Sequence, residues 1–246
     1  MAKLLSAIKS RLRQSALFNF NQVGRDRWVA AQASALPAGT KVLDVGAGSC
    51  RYRHLFSHCD YKTQDFKQLS TGDVGGDGYG KIDFICDVLN IPVPDGSFDA
   101  ILCTEVLEHV PEPIRLVKEL ARLLRPGGKL LLTAPLGSGL HQQPYHYYGG
   151  YTPYWYRKFL AEAGFTAIRI EANGGFFKHY GQESRRFARM LAPRGGRARI
   201  LLAPLWLISL PWFALVCPLL CGLFDRLDAE RGFTTGYHVT ATRVRA

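Results

Sequence analysis

Short apolar runs alternate with stretches of helical periodicity along most of this chain. Residues 41–46 (KVLDVG) are an apolar run closed by a glycine, the pattern of a strand covered on both faces. Similar strand-like runs occur at 60–66 (DYKTQDF), 82–87 (IDFICD), 98–106 (FDAILCTEV) and 129–135 (KLLLTAP). Two more, 166–172 and 237–244, alternate apolar and polar positions. Over 112–124, Ile114, Leu116, Val117, Leu120, Leu123 and Leu124 follow helical spacing. Pro111 and Pro113 bracket its start and Pro126-Gly127-Gly128 its end. A second helix is expected over 152–163, with Thr152 as N-cap, Pro153 at the first helical position and Gly164 past the end. Strands alternating with helices predict an α/β fold: a doubly wound, mostly parallel sheet of seven strands with helices on both faces. Such sheets bind ligands at the carboxyl ends of their strands, near the switch in strand order.

One segment departs from this alternation. Residues 200–224 contain no charge, and as a single helix would be long enough to cross a bilayer. Pro204, Pro211 and Pro218 recur every seven residues and are expected to kink or break it. If 166–172 and 237–244 belong to one sheet, the segment crosses a membrane an even number of times or not at all. The expectation is therefore an interfacial hairpin of two short helices dipping into one leaflet, with Trp206 and Trp212 near the interface. The competing arrangement is a pair of core or dimer helices.

Charge changes the picture only locally. Of the formal net charge of +11, residues 1–27 carry +5 and residues 183–199 another +5. The first patch holds Lys3, Lys9, Arg11 and Arg13 beside Leu4, Leu5, Ile8 and Leu12, a basic amphipathic pattern. The second holds Arg185, Arg186, Arg189, Arg194, Arg197 and Arg199. Basic patches beside apolar segments point to an anionic membrane surface, and a near-neutral core argues against nucleic acid. No Asn-Pro-Pro-Tyr motif of base-flipping enzymes is present. Six cysteines without a Cys-x-x-Cys pair suggest a reducing, cytoplasmic setting without disulfides.

The chemistry sits at the strand ends. Asp44-Val45-Gly46-Ala47-Gly48-Ser49-Cys50 reads as strand, glycine turn and helix start, with glycines that let a ligand approach the main chain. Asp65 lies 19 residues after Gly46, where a carboxylate accepts from ribose hydroxyls. Asp87 ends the third strand and is suited to an exocyclic amine, while Phe66 and Val88 follow the two acids and can pack on a base. The third glycine of a nicotinamide fingerprint would fall at Arg51, which argues against a dehydrogenase.

This ordered set resembles the class I S-adenosylmethionine-dependent methyltransferases of the small-molecule type. The resemblance runs from about Val42 to Gly164. It includes Pro94-Asp95-Gly96-Ser97-Phe98-Asp99, Glu105-Val106-Leu107-Glu108-His109-Val110, Leu124-Arg125-Pro126-Gly127-Gly128 and Tyr151-Thr152-Pro153. It implies a Rossmann-like fold and S-adenosylmethionine as cofactor. Asp44, Gly46, Ala47 and Gly48 would hold the methionine end, Asp65 the ribose, and Asp87 with Val88 the adenine, with Phe66 packing on the base. Cys50 stands where many relatives have a third glycine.

The resemblance implies in-line transfer of a methyl group, which needs alignment and, for a hydroxyl acceptor, a base. His109 and His146 are the expected catalytic residues among Glu105, Glu108, His109, His141 and His146. No metal is assigned, although Glu105, Glu108 and His109 have spacing that suits a divalent cation, with His146 as a fourth ligand. The aromatic run 143–156 should lie over the site. The expected organisation is a basic amphipathic segment (1–36), a cofactor-binding core (37–178), a basic and apolar helical insertion (179–232) and a final strand (233–246). The expected partner is a small-molecule, lipid-linked or glycan acceptor at the inner face of a membrane. The alternative is a non-catalytic S-adenosylmethionine-binding scaffold that recruits a partner through the apolar hairpin.

Overall fold

The computed structural model describes residues 19–74, 78–193, 196 and 200–244. Lys3, Lys9, Arg11 and Arg13, with the amphipathic pattern around them, lie outside the described residues, as do Arg194, Arg197 and Arg199. Two compact units are present. One holds Arg27–Glu171 and the described residues of Gly236–Ala246; the other holds Ala172–Thr235 and the described residues of Met1–Asp26.

The larger unit is built on a seven-stranded sheet in the order β3-β2-β1-β4-β5-β7-β6. The strands are β1 (Lys41–Val45), β2 (Asp60–Asp65), β3 (Phe84–Ile85), β4 (Phe98–Thr104), β5 (Leu124–Pro135), β6 (Phe165–Ala172) and β7 (Gly236–Arg243). β1 pairs in parallel with β2 and β4, and β4 with β5, whereas β7 runs antiparallel to β5. Between β1 and β4 the strand order reverses, so the loop after β1 opens at the switch point.

Burial explains why these runs are strands. In β1, Val42, Leu43, Asp44 and Val45 are all buried, on both faces of the sheet. Helix α1 (Phe20–Ser34) brings Trp28, Val29 and Ala33 against Val42, Phe56 and Leu102. Helix α2 (Pro113–Leu123) buries Leu116, Val117, Leu120 and Leu123 of the periodic face read in the sequence and leaves Ile114, in its first turn, exposed. Helix α3 (Pro153–Glu162) begins where Thr152 Oγ1 accepts from the Trp155 N–H at 3.3 Å.

Three expectations need correction. The third strand pairs only through Phe84 and Ile85, not over 82–87, because its register with β2 covers just Gln64 and Asp65. The glycine turn after β1 does not lead into an α-helix; turns and a 3-10 segment, Arg53–Phe56, follow. The apolar segment does not fold back on itself. It is one helical run, Ala203–Leu227, of 25 residues.

That run belongs to the second unit. It comprises α5 (Ala203–Pro211), a π-turn (Trp212–Val216), α6 (Cys217–Phe224) and a last 3-10 turn. Pro204 falls in the first turn of α5, where the missing N–H costs little, whereas Pro218 lies inside the run directly after the π-turn. The wider π-turn follows Pro211. Helix α4 (Phe176–Met190) packs beside this run: Ser184 Oγ donates to the Phe213 carbonyl at 2.9 Å and Trp206 Nε1 to the Ala188 carbonyl at 2.9 Å.

Candidate active site

The loop after β1 turns on two glycines with positive φ, and at Gly46 a side chain could not enter without movement. Gly46 has φ +65°, and a Cβ there would lie 2.3 Å from Val106 Cγ2. Its N–H donates to Gln64 Oε1 at 3.3 Å, and the next N–H, of Ala47, donates to the Gln64 carbonyl at 3.0 Å. Gly48, at φ +51°, donates its N–H to Asp65 Oδ2 at 2.9 Å. Cys50 also takes a left-handed φ of +56°, which accounts for the glycine expected at this position.

Three acids mark the neighbouring strand ends. Asp65 is buried, and its Oδ1 accepts the Lys67 N–H at 2.9 Å. Each of its oxygens accepts one main-chain N–H and has a second lone-pair direction left for a ligand hydroxyl. Asp87 is exposed and accepts the Leu89 N–H at 2.9 Å, with Val88 half-buried beside it. Asp44 is buried beneath the loop and accepts from the Tyr61 hydroxyl. Burial pushes its carboxyl up to about 7; the Tyr61 hydrogen bond opposes this and the charge of Asp65 adds to it.

The site's donors and acceptors fit a nucleoside joined to an amino acid. An acceptor ends β2 and another lies two residues past β3, the glycine turn exposes main chain at β1, and the strand order sets the three ends side by side. Phe66, half-buried, meets the ring of Tyr145 edge-on at 5.0 Å.

A second cluster follows β4 and β5. His109 ends a 3-10 turn, Leu107–His109, and its Nδ1 lies 2.6 Å from the Tyr145 carbonyl. A carbonyl only accepts, so Nδ1 carries the proton and Nε2 keeps its lone pair. That Nε2 is 3.8 Å from Glu108 Oε1. Burial pulls the His109 pKa down to about 4, with His141 and His146 adding to the effect, so the ring is neutral at neutral pH. His141 Nδ1 lies 2.9 Å from the Gly139 carbonyl, and His146 Nε2 is 3.1 Å from Ser138 Oγ. Burial and then the neighbouring His141 lower the His146 pKa. The three rings stand 4.6 to 5.6 Å apart.

Among the described residues, Glu108, His109 and His141 have ligand atoms within 4.8 Å of one another. Glu105 does not join them: its backbone is left-handed at φ +54°, and its carboxylate accepts the Thr133 hydroxyl at 2.8 Å. The expected helical face 105–109 is absent for that reason, and His141 takes the place read for Glu105.

The loop between β5 and α3 carries contacts that no local pattern announces. Tyr145 Oη donates to Gln68 Oε1 at 2.9 Å, and Gln142 Nε2 to the Asp73 carbonyl at 3.1 Å. The aromatic loop is thereby tied to the loop following β2. The partners are 77 and 69 residues apart in sequence.

Comparison with known proteins bears on the fold. Residues 43–132 match a family model described as Methyltransferase domain. A Ubiquinone biosynthesis O-methyltransferase of Xanthomonas oryzae pv. oryzae (strain PXO99A) is 60% identical over 38 residues, 15% of this chain and 16% of that protein. An Uncharacterized methyltransferase of Mycobacterium sp. (strain JLS) is 35% identical over 133 residues, 51% of this chain and 52% of that one. The chain thus spans from about a sixth to about half the length of these curated relatives. Among solved structures, a Haemonchus contortus phosphoethanolamine N-methyltransferase 2 in complex with S-adenosyl-L-methionine superposes with a TM-score of 0.52 at 18% identity. The match covers 90% of this chain and 52% of that one, and shows the shared fold.

Proposed function

We propose that this chain, whose residues 43–132 match the methyltransferase domain family on a Rossmann-like fold, moves a methyl group from S-adenosylmethionine to a small-molecule hydroxyl acceptor at a membrane surface. The observation that carries the reading is the row of strand ends at the switch point: the Gly46–Gly48 turn, Asp65 tied to Gly48, and Asp87.

The loop glycines and the buried Asp44 hold the methionine end, Asp65 the ribose, and Asp87 with Val88 the adenine, with Phe66 packing on the base. When bound, the cofactor supplies an electrophilic methyl group on a sulfonium. The chain's own residues orient the acceptor and take its proton. His109, neutral and with Nε2 open, accepts the hydroxyl proton, and His146 lines the same cluster. Tyr145, Tyr147 and Tyr148 supply ring faces for an aromatic acceptor. The name of the Xanthomonas relative favours a hydroxylated quinone-type ring.

The membrane setting rests on Ala203–Leu227, a helix of membrane-crossing length with only 17% of its apolar stretch buried. A second reading is favoured by the Glu108, His109 and His141 cluster, whose chemistry suits a divalent cation that lowers the pKa of an acceptor hydroxyl. Calorimetric titration with zinc or magnesium tests it directly. Binding lost in His141→Ala supports the cation, and heat at the level of dilution removes it.

Calorimetric titration with S-adenosylmethionine, repeated on Asp65→Ala, tests the main reading. Micromolar binding lost in the variant supports the cofactor and its site. Absence of binding to folded protein overturns both. Binding without methyl transfer to any catechol, quinol or membrane extract would favour a non-catalytic scaffold.

A further inference from the structure

The π-turn in the apolar run re-phases one side chain. In an unbroken α-helix Trp212 would lie about 140° around the axis from Cys217 and about 80° from Leu220. The turn, closed by the Cys217 N–H on the Trp212 carbonyl, absorbs one extra residue. Trp212 then falls within about 40° of Cys217, Leu220 and Phe224, on one stripe. Such turns are rare and frequent at functional sites.

Facing that stripe, α4 presents Phe176, Phe177 and Tyr180, and the two helices enclose a trough of about 320 Å³. This is within the usual size of small-ligand pockets. All its lining residues are aromatic, leucine or cysteine. The helices cannot close over it, because they already touch at Gly181. A Cβ there would meet Cys221 Cβ at 3.0 Å and Pro218 Cα at 3.3 Å. Phe176, Tyr180, Trp212 and Phe224 consequently stay about half exposed.

We infer that this trough takes a hydrocarbon chain of a membrane lipid, an inference that rests on the membrane setting proposed above. Sites for polar ligands carry a few convergent polar groups; this one turns ring, leucine and thiol surface inward and exposes no polar surface to the trough. The trough is continuous with an outward helix face whose exposed residues Leu205, Ile208, Trp212, Leu215 and Leu223 are all apolar. Arg185 and Arg189 sit about 140° and 180° around α4 from Tyr180, a basic side complementary to anionic headgroups. Burial and mutual repulsion lower the pKa of Arg185 in the same way. Because α4 lies alongside with Glu183, Arg185 and Arg186, a bilayer-spanning pose would carry those charges into the hydrocarbon. The helix therefore lies along the surface and the trough opens at chain depth.

The test uses the full chain and cis-parinaric acid, a fluorescent long-chain fatty acid, below its micelle-forming concentration. Saturable binding at a single site, with quenching of tryptophan emission, is expected. Cys217→Phe and Leu220→Trp, which fill the trough, should each weaken it by about tenfold or more. Circular dichroism and thermal melts confirm that both variants fold. Ile208→Ser, on the outward face and outside the trough, should keep parinarate binding and weaken sedimentation with phosphatidylglycerol vesicles. No saturable binding, or unchanged binding in both folded filling variants, overturns the trough and spares the membrane reading. Parinarate binding by a protein that ignores vesicles overturns the bilayer as the source of the chain.

Discussion

The Gly48 N–H donates to Asp65 Oδ2 at 2.9 Å, so the carboxylate assigned to the ribose also pins the loop assigned to the methionine end. The two roles are separable. In Asp65→Asn the side-chain carbonyl can still accept from Gly48, whereas Asp65→Ala loses both functions. Asparagine keeps the Gly48 bond but sets its NH2 against the Lys67 N–H that Oδ1 accepts at 2.9 Å, so it should lower the melting temperature less than alanine does while weakening cofactor binding. Alanine should lower both, with a stability loss of about 1–3 kcal/mol from the unpaired N–H. Paired calorimetry and thermal melts distinguish the two; equal melting losses in both variants would remove the pinning role.

Asp44 gives the fold a pH dependence of unusual sign. Burial raises its folded carboxyl to about 7, above the unfolded value of about 3.9. Between these values the folded state binds the extra proton, so this group's contribution falls as pH rises from about 4 to about 7 and is flat above. The span is on the order of 4 kcal/mol at most. Asp44→Asn should remove the slope and be relatively more stable at pH 8 than at pH 5. Urea unfolding at both pH values measures it; an unchanged slope would mean Asp44 is ionised throughout.

His109 and His146 are assigned to the reaction, not to the cofactor. Once an acceptor is in hand, alanine at either position should lower kcat by roughly a hundredfold or more while the Kd for S-adenosylmethionine stays within about twofold. Near-native turnover in both variants would return these rings to a packing role.

Asp225 holds the start of α4 from a distance. Its buried Oδ1 accepts the N–H groups of Gly175 at 2.9 Å and Lys178 at 3.0 Å, and Lys178 Nζ lies 3.2 Å from Oδ2. It acts as an N-cap supplied from 47 residues away. Asp225→Ala should destabilise the second unit by about 1–2 kcal/mol, and Asp225→Asn by less. Hydrogen exchange at the first turn of α4 reads this directly.

Much of the fold was legible because its signals are local. Residues 42–45 are buried on both faces, Leu116, Val117, Leu120 and Leu123 share one helical face, and Thr152 and Pro153 mark a helix start. Asp44, Asp65 and Asp87 could be read because each closes or lies next to the end of a strand-like run. The π-turn, the placing of His141 beside Glu108 and His109, and the Tyr145–Gln68 contact could not, since each depends on partners distant in sequence or on how a neighbouring element packs.

The apolar segment shows the division most plainly. Sequence alone determined that 200–224 is uncharged and helical, and that prolines punctuate it every seven residues. Local rules then favoured a broken hairpin, because proline removes an N–H and clashes with the preceding turn. Only the tertiary structure decided otherwise. Pro204 falls where the missing N–H costs little, the π-turn lies between Pro211 and Pro218, and Ser184 of α4 donates to the Phe213 carbonyl within that turn. A proline's local cost is written in the sequence, but whether the helix tolerates it depends on packing that no short window contains.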